Sequence, residues 1–316
     1  MKKIPFRTVY LILLFQLPVH LYSQENTESF KPHGNPFATL FANFFFEMGG
    51  KDETAFEVRR AYLGYQYYLS EHWSGVVKLD IGSPGDESPD SRLKRYAYFK
   101  NAGLEYHSDR LTWNIGIIDT KHFGLQEKYW GHRYIYKSFQ DEHKFGPKAD
   151  IGTSLEYSIT DHLVADISLM NGEGYSRLQL DKTYKTSIGF TGFFLSYFVT
   201  RIYFDIMVKS EPQATNSLFL GYKTEKIMGG FEYSYKINDS YEKNHHAWGY
   251  SIYALYRITP KFELFGRFDK LDSKRIDFEE FGWNYNNDGS AIIAGVQYSP
   301  IENIKFAIDY QDWVPY

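Results

Sequence analysis

The residues equipped to act on a small solute are cations and carboxylates, and they fall into two patterns. The first is a concentration. Between 120 and 147 stand Lys121, Lys128, Arg133, Lys137 and Lys144, against Glu127, Asp141 and Glu142, a positive excess in a chain of formal charge −4. Charges of one sign around a narrow passage set the field that an ion must cross. The second pattern is a periodic scatter. Arg60, Lys78, Arg201, Lys209, Lys236, Arg257, Arg267 and Lys305 alternate with apolar neighbours, and so do Asp80, Asp150, Glu156, Asp166, Asp205, Glu232, Glu263, Asp269 and Asp309. That set is mixed in sign, and opposed charges facing one aqueous space pair or order water without selecting an ion.

Other chemistries find less support. His122, His132 and His143, with His245 and His246, match no metal-site spacing, and scattered loop histidines are expected to be solvated. Asp86, Glu87 and Asp90 could hold a divalent cation, although a solvated acidic loop explains them as well. Asn171-Gly172-Glu173-Gly174 lacks the strand-to-helix context of a phosphate loop and reads as a turn. His107 and Ser108 are adjacent but have no evident orienting carboxylate, and no Gly-x-Ser-x-Gly elbow occurs, so no enzyme is expected. The chain has no Cys, which excludes disulfides and thiolate metal sites. Neither a metal nor a cofactor is expected.

The elements that must position these charges are strands. Trp73, Gly75, Val77, Leu79 and Ile81 alternate with Ser74, Val76, Lys78 and Asp80, and Ile202, Phe204, Ile206 and Val208 with Arg201, Tyr203, Asp205 and Met207. Period two puts each set on its own face of a sheet. One phrase recurs between such segments: Tyr67-Tyr68-Leu69-Ser70-Glu71-His72-Trp73, Tyr157-Ser158-Ile159-Thr160-Asp161-His162-Leu163 and Tyr256-Arg257-Ile258-Thr259-Pro260-Lys261-Phe262. Each is a tight polar turn flanked by aromatics. Tight turns alternating with long polar loops, beside interfacial rings, are the layout of an all-β transmembrane, antiparallel, up-and-down β-barrel with short periplasmic turns and long extracellular loops. Fifteen segments can be read from 37 to 313. Single-chain bacterial barrels have even numbers, so about 16 strands are expected, with the missing one at the end or within 120–147 or 172–200. The 94–107 segment breaks parity, which a bulge would repair. The 183–209 hairpin shows no polar turn.

The N-terminus reads as an export signal. Lys2, Lys3 and Arg7 precede an apolar run from 9 to 22, too short to span a bilayer, and cleavage after Ser23 is expected. Removing those three cations makes the chain more acidic, which disfavours nucleic-acid partners. The expected organisation is a signal at 1–23, a short segment at 24–36 and a barrel at 37–316. The 28 Tyr and 26 Phe suit a barrel in which every second residue faces lipid.

Several runs carry a family resemblance. Phe56-Glu57-Val58-Arg59-Arg60-Ala61-Tyr62-Leu63-Gly64 continued by Lys78-Leu79-Asp80, then Trp130-Gly131-His132-Arg133-Tyr134-Ile135, Asp150-Ile151-Gly152 and Asn171-Gly172-Glu173-Gly174 resemble the phosphate-selective porin O and P family, of the Bacteroidetes type. The similarity runs from about 37 to 310. It implies a 16-stranded porin in the outer membrane of a Gram-negative bacterium, passing small hydrophilic solutes or ions. Phosphate does not follow from the family name. The long 120–147 connection is expected to fold inward and narrow the channel, with Arg133, Lys128 and Lys137 nearest the solute and Arg60, Lys78, Asp80 and Asp150 along its path. Lipids are the expected surroundings, and a homotrimer is left open. The alternatives are an outer lid for 120–147, a barrel acting through its loops as an adhesin (273–288, with Trp283 and Tyr285), and a lipid hydrolase.

Overall fold

The computed structural model describes residues 30–48, 54–82, 96–177, 179 and 181–316. The export signal, residues 24–29 of the 24–36 segment, and Asp86, Glu87 and Asp90 lie outside the described residues. One unit, Pro32–Tyr316, carries the fold.

Its strands are β1 His33–Phe46, β2 Thr54–Tyr68, β3 Trp73–Gly82, β4 Tyr96–His107, β5 Leu111–Asp119, β6 Ala149–Thr160, β7 Leu163–Met170 and β8 Lys185–Phe194. The series continues with β9 Phe198–Val208, β10 Pro212–Lys223, β11 Ile227–Ile237, β12 Ala247–Arg257, β13 Phe262–Ser273, β14 Gly289–Ile301 and β15 Ile304–Pro315. All neighbours are antiparallel and sequential in one 15-stranded sheet. The expectation of 16 is therefore corrected to fifteen among the described residues. Between 120 and 147 the chain forms two short helices, α1 Gly124–Trp130 and α2 Phe139–Glu142, and between 172 and 200 only β8 and the start of β9. Strand β1 also begins at His33, ahead of the expected 37.

The two ambiguous stretches have local explanations. Lys78 pairs with Asn101 and Leu79 with Phe99, so Lys100 is an extra residue on β4. This bulge turns both Lys100 and Asn101 inward, where both are buried. The 183–209 hairpin turns through Leu195 and Ser196, both at positive φ (51° and 61°). The loop is three residues long, 195–197, a short hairpin connection that is defined by its backbone and does not require polar side chains.

The outer face is apolar. Leu155, Ile167, Leu169, Ile188, Phe190, Ile202, Ile252 and Ile292 are all exposed. Tyr68, Tyr157, Tyr256 and Phe262 are exposed beside the tight turns, and Trp73 packs there against Tyr106 and Trp113, ring centroids 5.2 and 6.0 Å away. Water-exposed proteins rarely carry so continuous an apolar surface.

The inner face has a core of its own. Trp130 and Ile135 from the β5–β6 connection bury themselves against Val199, Phe219, Tyr253, Leu255, Phe265 and Ile293 of the sheet. Phe139 and Phe145 do the same with Leu271, and Trp313 packs alongside. The aromatics of 120–147 thus find in the lumen the burial that a solvated loop would deny them.

Candidate pore lining

The insert at 120–147 is fastened by the cations of the wall. Arg59 of β2 donates to the Ile135 carbonyl at 3.0 Å, and Arg201 of β9 to that of Lys121. Arg267 of β13 donates to the Lys137 carbonyl at 2.6 Å and Lys236 of β11 to that of Lys144 at 2.9 Å. Orphan carbonyls of a segment without regular structure are satisfied this way, as burial requires. Each clamp is itself neutralised or steadied. Arg201 contacts both oxygens of Asp166 at 2.6 and 3.0 Å, and Arg267 both oxygens of Asp269 at 2.8 and 2.6 Å. The Arg267 guanidinium also lies over Trp130 and Tyr136, 5.0 and 5.4 Å from their centroids. The Tyr253 hydroxyl donates to the Gln126 carbonyl at 3.1 Å and the Tyr134 hydroxyl to Gln297 at 2.8 Å. Helix α1 ends at Gly131, whose left-handed backbone (φ 67°) lets its N–H bond back to Glu127.

The histidines depart from expectation. His122 and His132 are buried, not solvated, because they travel inward with the insert. His122 Nε2 meets the Ser217 hydroxyl at 3.2 Å, and its ring stacks on Tyr203 at 4.2 Å. Burial, reinforced by Lys185, Arg201 and Lys236, pushes His122 well below the ordinary imidazole pKa. Burial also lowers His143, to about 4. No group of three metal-ligating side chains occurs among the described residues.

With the insert seated on β9–β14, open space remains along β1–β9. One cavity of about 780 Å³ is lined by Phe37, Thr39, Phe41, Tyr62, Ile118, Leu125 and Val164, together with charged groups. Its cations are Lys78, Lys100, Lys121, Lys128, Lys148, Arg133 and Arg201, and its carboxylates Glu105, Asp119, Glu127 and Glu156. A second, of about 190 Å³, is lined by Phe41, Arg59, Arg60, Arg133, Tyr134, Ile135, Tyr136, Lys137 and Glu142. Phe41 and Arg133 are the residues that line both. They stand at the partition between the two spaces, one on the wall and one on the insert.

The charges differ in how far they are compensated. Lys121 pairs with Glu156 at 2.9 Å and Lys148 with Glu127 at 3.1 Å. Arg133 pairs with Glu127 at 3.7 Å and with Asp141, and Lys137 with Glu142 at 3.4 Å. Lys78 and Lys100 have no such partner among the described residues. Their ammonium groups sit 4.5 and 4.6 Å from the Tyr62 ring centroid, and Lys100 donates to the Tyr62 hydroxyl at 3.2 Å.

Of the residues assigned to the solute path from sequence, Arg133, Lys128, Lys78, Arg60 and Lys137 line one cavity or the other. Asp80 and Asp150 line neither. Asp80 is buried beneath Arg60, at 3.3 Å, and accepts from the Tyr175 hydroxyl at 2.9 Å. Asp150 accepts from the backbone N–H of Gly172 at 2.6 Å and of Ile151 at 2.8 Å, holding the β7–β8 connection. Sequence reasoning missed Phe41, Tyr62 and Tyr175 altogether. The parity break at 94–107 was the available signal for Lys100.

No family model matches the chain, and no curated protein matches it. The similarity is in three dimensions. The outer-membrane channel DcaP of Acinetobacter baumannii superposes with a TM-score of 0.65 at 12% identity, over 90% of this chain and 93% of that one. OmpF of Salmonella typhi, solved with daunomycin, gives 0.68 at 11% identity over 88% and 89%. The chain has the fold of an outer-membrane β-barrel porin. OmpT of Vibrio cholerae, an outer-membrane protein, gives 0.60 at 11% over 92% and 90%. In this chain that fold sets the apolar belt outside and leaves a lumen within that the 120–147 insert partly fills.

Proposed function

We propose that the protein is an outer-membrane porin, a water-filled channel for the passive diffusion of small hydrophilic solutes, in a Gram-negative bacterium. The carrying observation is the pair of cavities meeting at Phe41 and Arg133, between an apolar-faced wall and a clamped insert. A barrel of about this strand number is too wide for its own side chains to fill. Here the insert fills one side and leaves the other open. The outward aromatics beside the tight turns support a periplasmic-side girdle in contact with lipid head groups.

The lining favours anions over cations, since lysines and arginines outnumber carboxylates in the larger cavity and Lys78 and Lys100 make no close ion pair among the described residues. The preference is moderate, because Glu105, Asp119 and Glu156 share the space. The resemblance to the phosphate-selective porin O and P family fits this reading, and phosphate is one anion to test. Homotrimeric assembly is in keeping with the porin fold.

Purified protein in planar bilayers tests the proposal. Discrete steps of conductance, with a reversal potential in a salt gradient that shows anion preference, are the expected result. Silent insertion would defeat the channel reading and return the long loops, with Trp283 and Tyr285, as the acting part.

A further inference from the structure

The larger cavity is lined by two unlike sets of side chains. Phe37 and Phe41 of β1 both line it, and Phe41 meets Tyr62 edge-on at 6.0 Å. Gly64, opposite Phe37 in the ladder, makes this possible: a Cβ there would stand 2.3 Å from the Phe37 ring. Leu125 of α1 adds an aliphatic contact. Beyond Tyr62 along the same sheet the Lys78 and Lys100 ammonium groups flank that ring, and Asp119, held by Asn101 at 3.1 Å, also lines the cavity.

An inorganic oxyanion stripped of water needs donors on all sides, and phenylalanine faces offer none. The same faces suit a flat apolar body, with rings stacked or edge-on, while the two ammonium groups take a single charged head. The cavity's volume falls in the range of some 300–1,000 Å³ usual for a small-molecule site, and its lining joins these apolar faces to charged groups. Building on the channel reading above, we propose that this pocket is a transit site for aromatic carboxylates, of which benzoate is the simplest, bound in preference to acetate or inorganic phosphate.

The experiment compares sodium benzoate, acetate and phosphate on the reconstituted channel. Benzoate is expected to reduce chloride current with a half-effect concentration at least about tenfold below that of acetate, two ring contacts each supplying a several-fold preference. Phe37→Ala with Phe41→Ala should bring benzoate to within about twofold of acetate, and Phe41→Leu, which keeps apolar volume, should fall between. Lys78→Gln with Lys100→Gln should weaken both acids alike. Equal block by benzoate and acetate, or stronger block by phosphate, would overturn the proposal while leaving the channel intact. Binding of radiolabelled benzoate to the detergent-solubilised protein gives the same comparison without conduction. A silent protein that still binds benzoate in a Phe37- and Phe41-dependent way would count against the channel and for the pocket.

Discussion

Arg133 and Arg267 are the same residue type inside one lumen, and their surroundings give them opposite roles. Arg267 is fully buried, fastened to Asp269 and to the Lys137 carbonyl, so it belongs to the packing. Replacing it by Met leaves Asp269 buried without its partner. A loss of about 3–5 kcal/mol is expected from breaking a buried pair on one side, measured as a lower midpoint in urea-induced unfolding from detergent. Arg133 faces both cavities, and its partners Glu127 and Asp141 remain when it goes. Arg133→Gln therefore converts a balanced cluster into an acidic one, and the reversal potential should move toward cation preference with a smaller fall in unfolding midpoint than Arg267→Met, because this cluster keeps some exposure. An unmoved reversal potential would place the solute path elsewhere. Alternation in the sequence identified which cations face inward. It could not say which of them meet water, because that depends on an insert whose contacts are remote in sequence: Lys236 and Arg267 were read as lining and are clamps, and Arg201 is both clamp and lining.

At the scale of the element, the insert decides how much lumen is open. Its aromatic content was legible in the sequence and pointed inward. Its helices and its four clamps were not, because no periodicity runs long enough to show a helix of seven residues or one of four. Shortening 123–146 to a few glycines and serines should raise single-channel conductance several-fold; unchanged conductance would favour a lid outside the pore. The insert should also be acid-sensitive. His122, His132 and His143 have docked pKa values below the ordinary 6.5, so their neutral forms are the ones the docked state accepts. Undocking restores the ordinary value, so docking is unaffected above about pH 6.5 and weakens as pH falls through the window toward 4. Conductance noise should increase between pH 7 and pH 5, and replacing His122, His132 and His143 together by Gln should flatten that dependence. A channel equally quiet at both pH values would show that these imidazoles do not couple to docking.

At the scale of the whole molecule, the meander order, the faces of each strand and the aromatic turn flanks were readable because each follows from a period of two and from local turn chemistry. The strand count was not. An even number was inferred from what such barrels usually do, whereas fifteen strands pair in the structure. The odd count has a geometric corollary: β1 and β15 run in the same direction, so neither can pair antiparallel with the other. Both flanks nevertheless touch the insert, β2 through Arg59 and β15 through Trp313, which packs against the Phe139 cluster.

Those bridges carry a consequence for the order of folding. The insert is synthesised before more than half of its receptor exists: Arg267 lies 130 residues beyond Lys137, and Gln297 lies 163 residues beyond Tyr134. Contacts so distant along the chain form late, because the loop they close must first be brought together. The hairpins, each local, have no reason to wait. Refolding into detergent micelles should therefore show two separable phases, sheet formation by circular dichroism and then, more slowly, the quenching change of Trp130 as the lumen dries around it. Substituting Arg59 and Arg267 should slow the second phase and spare the first.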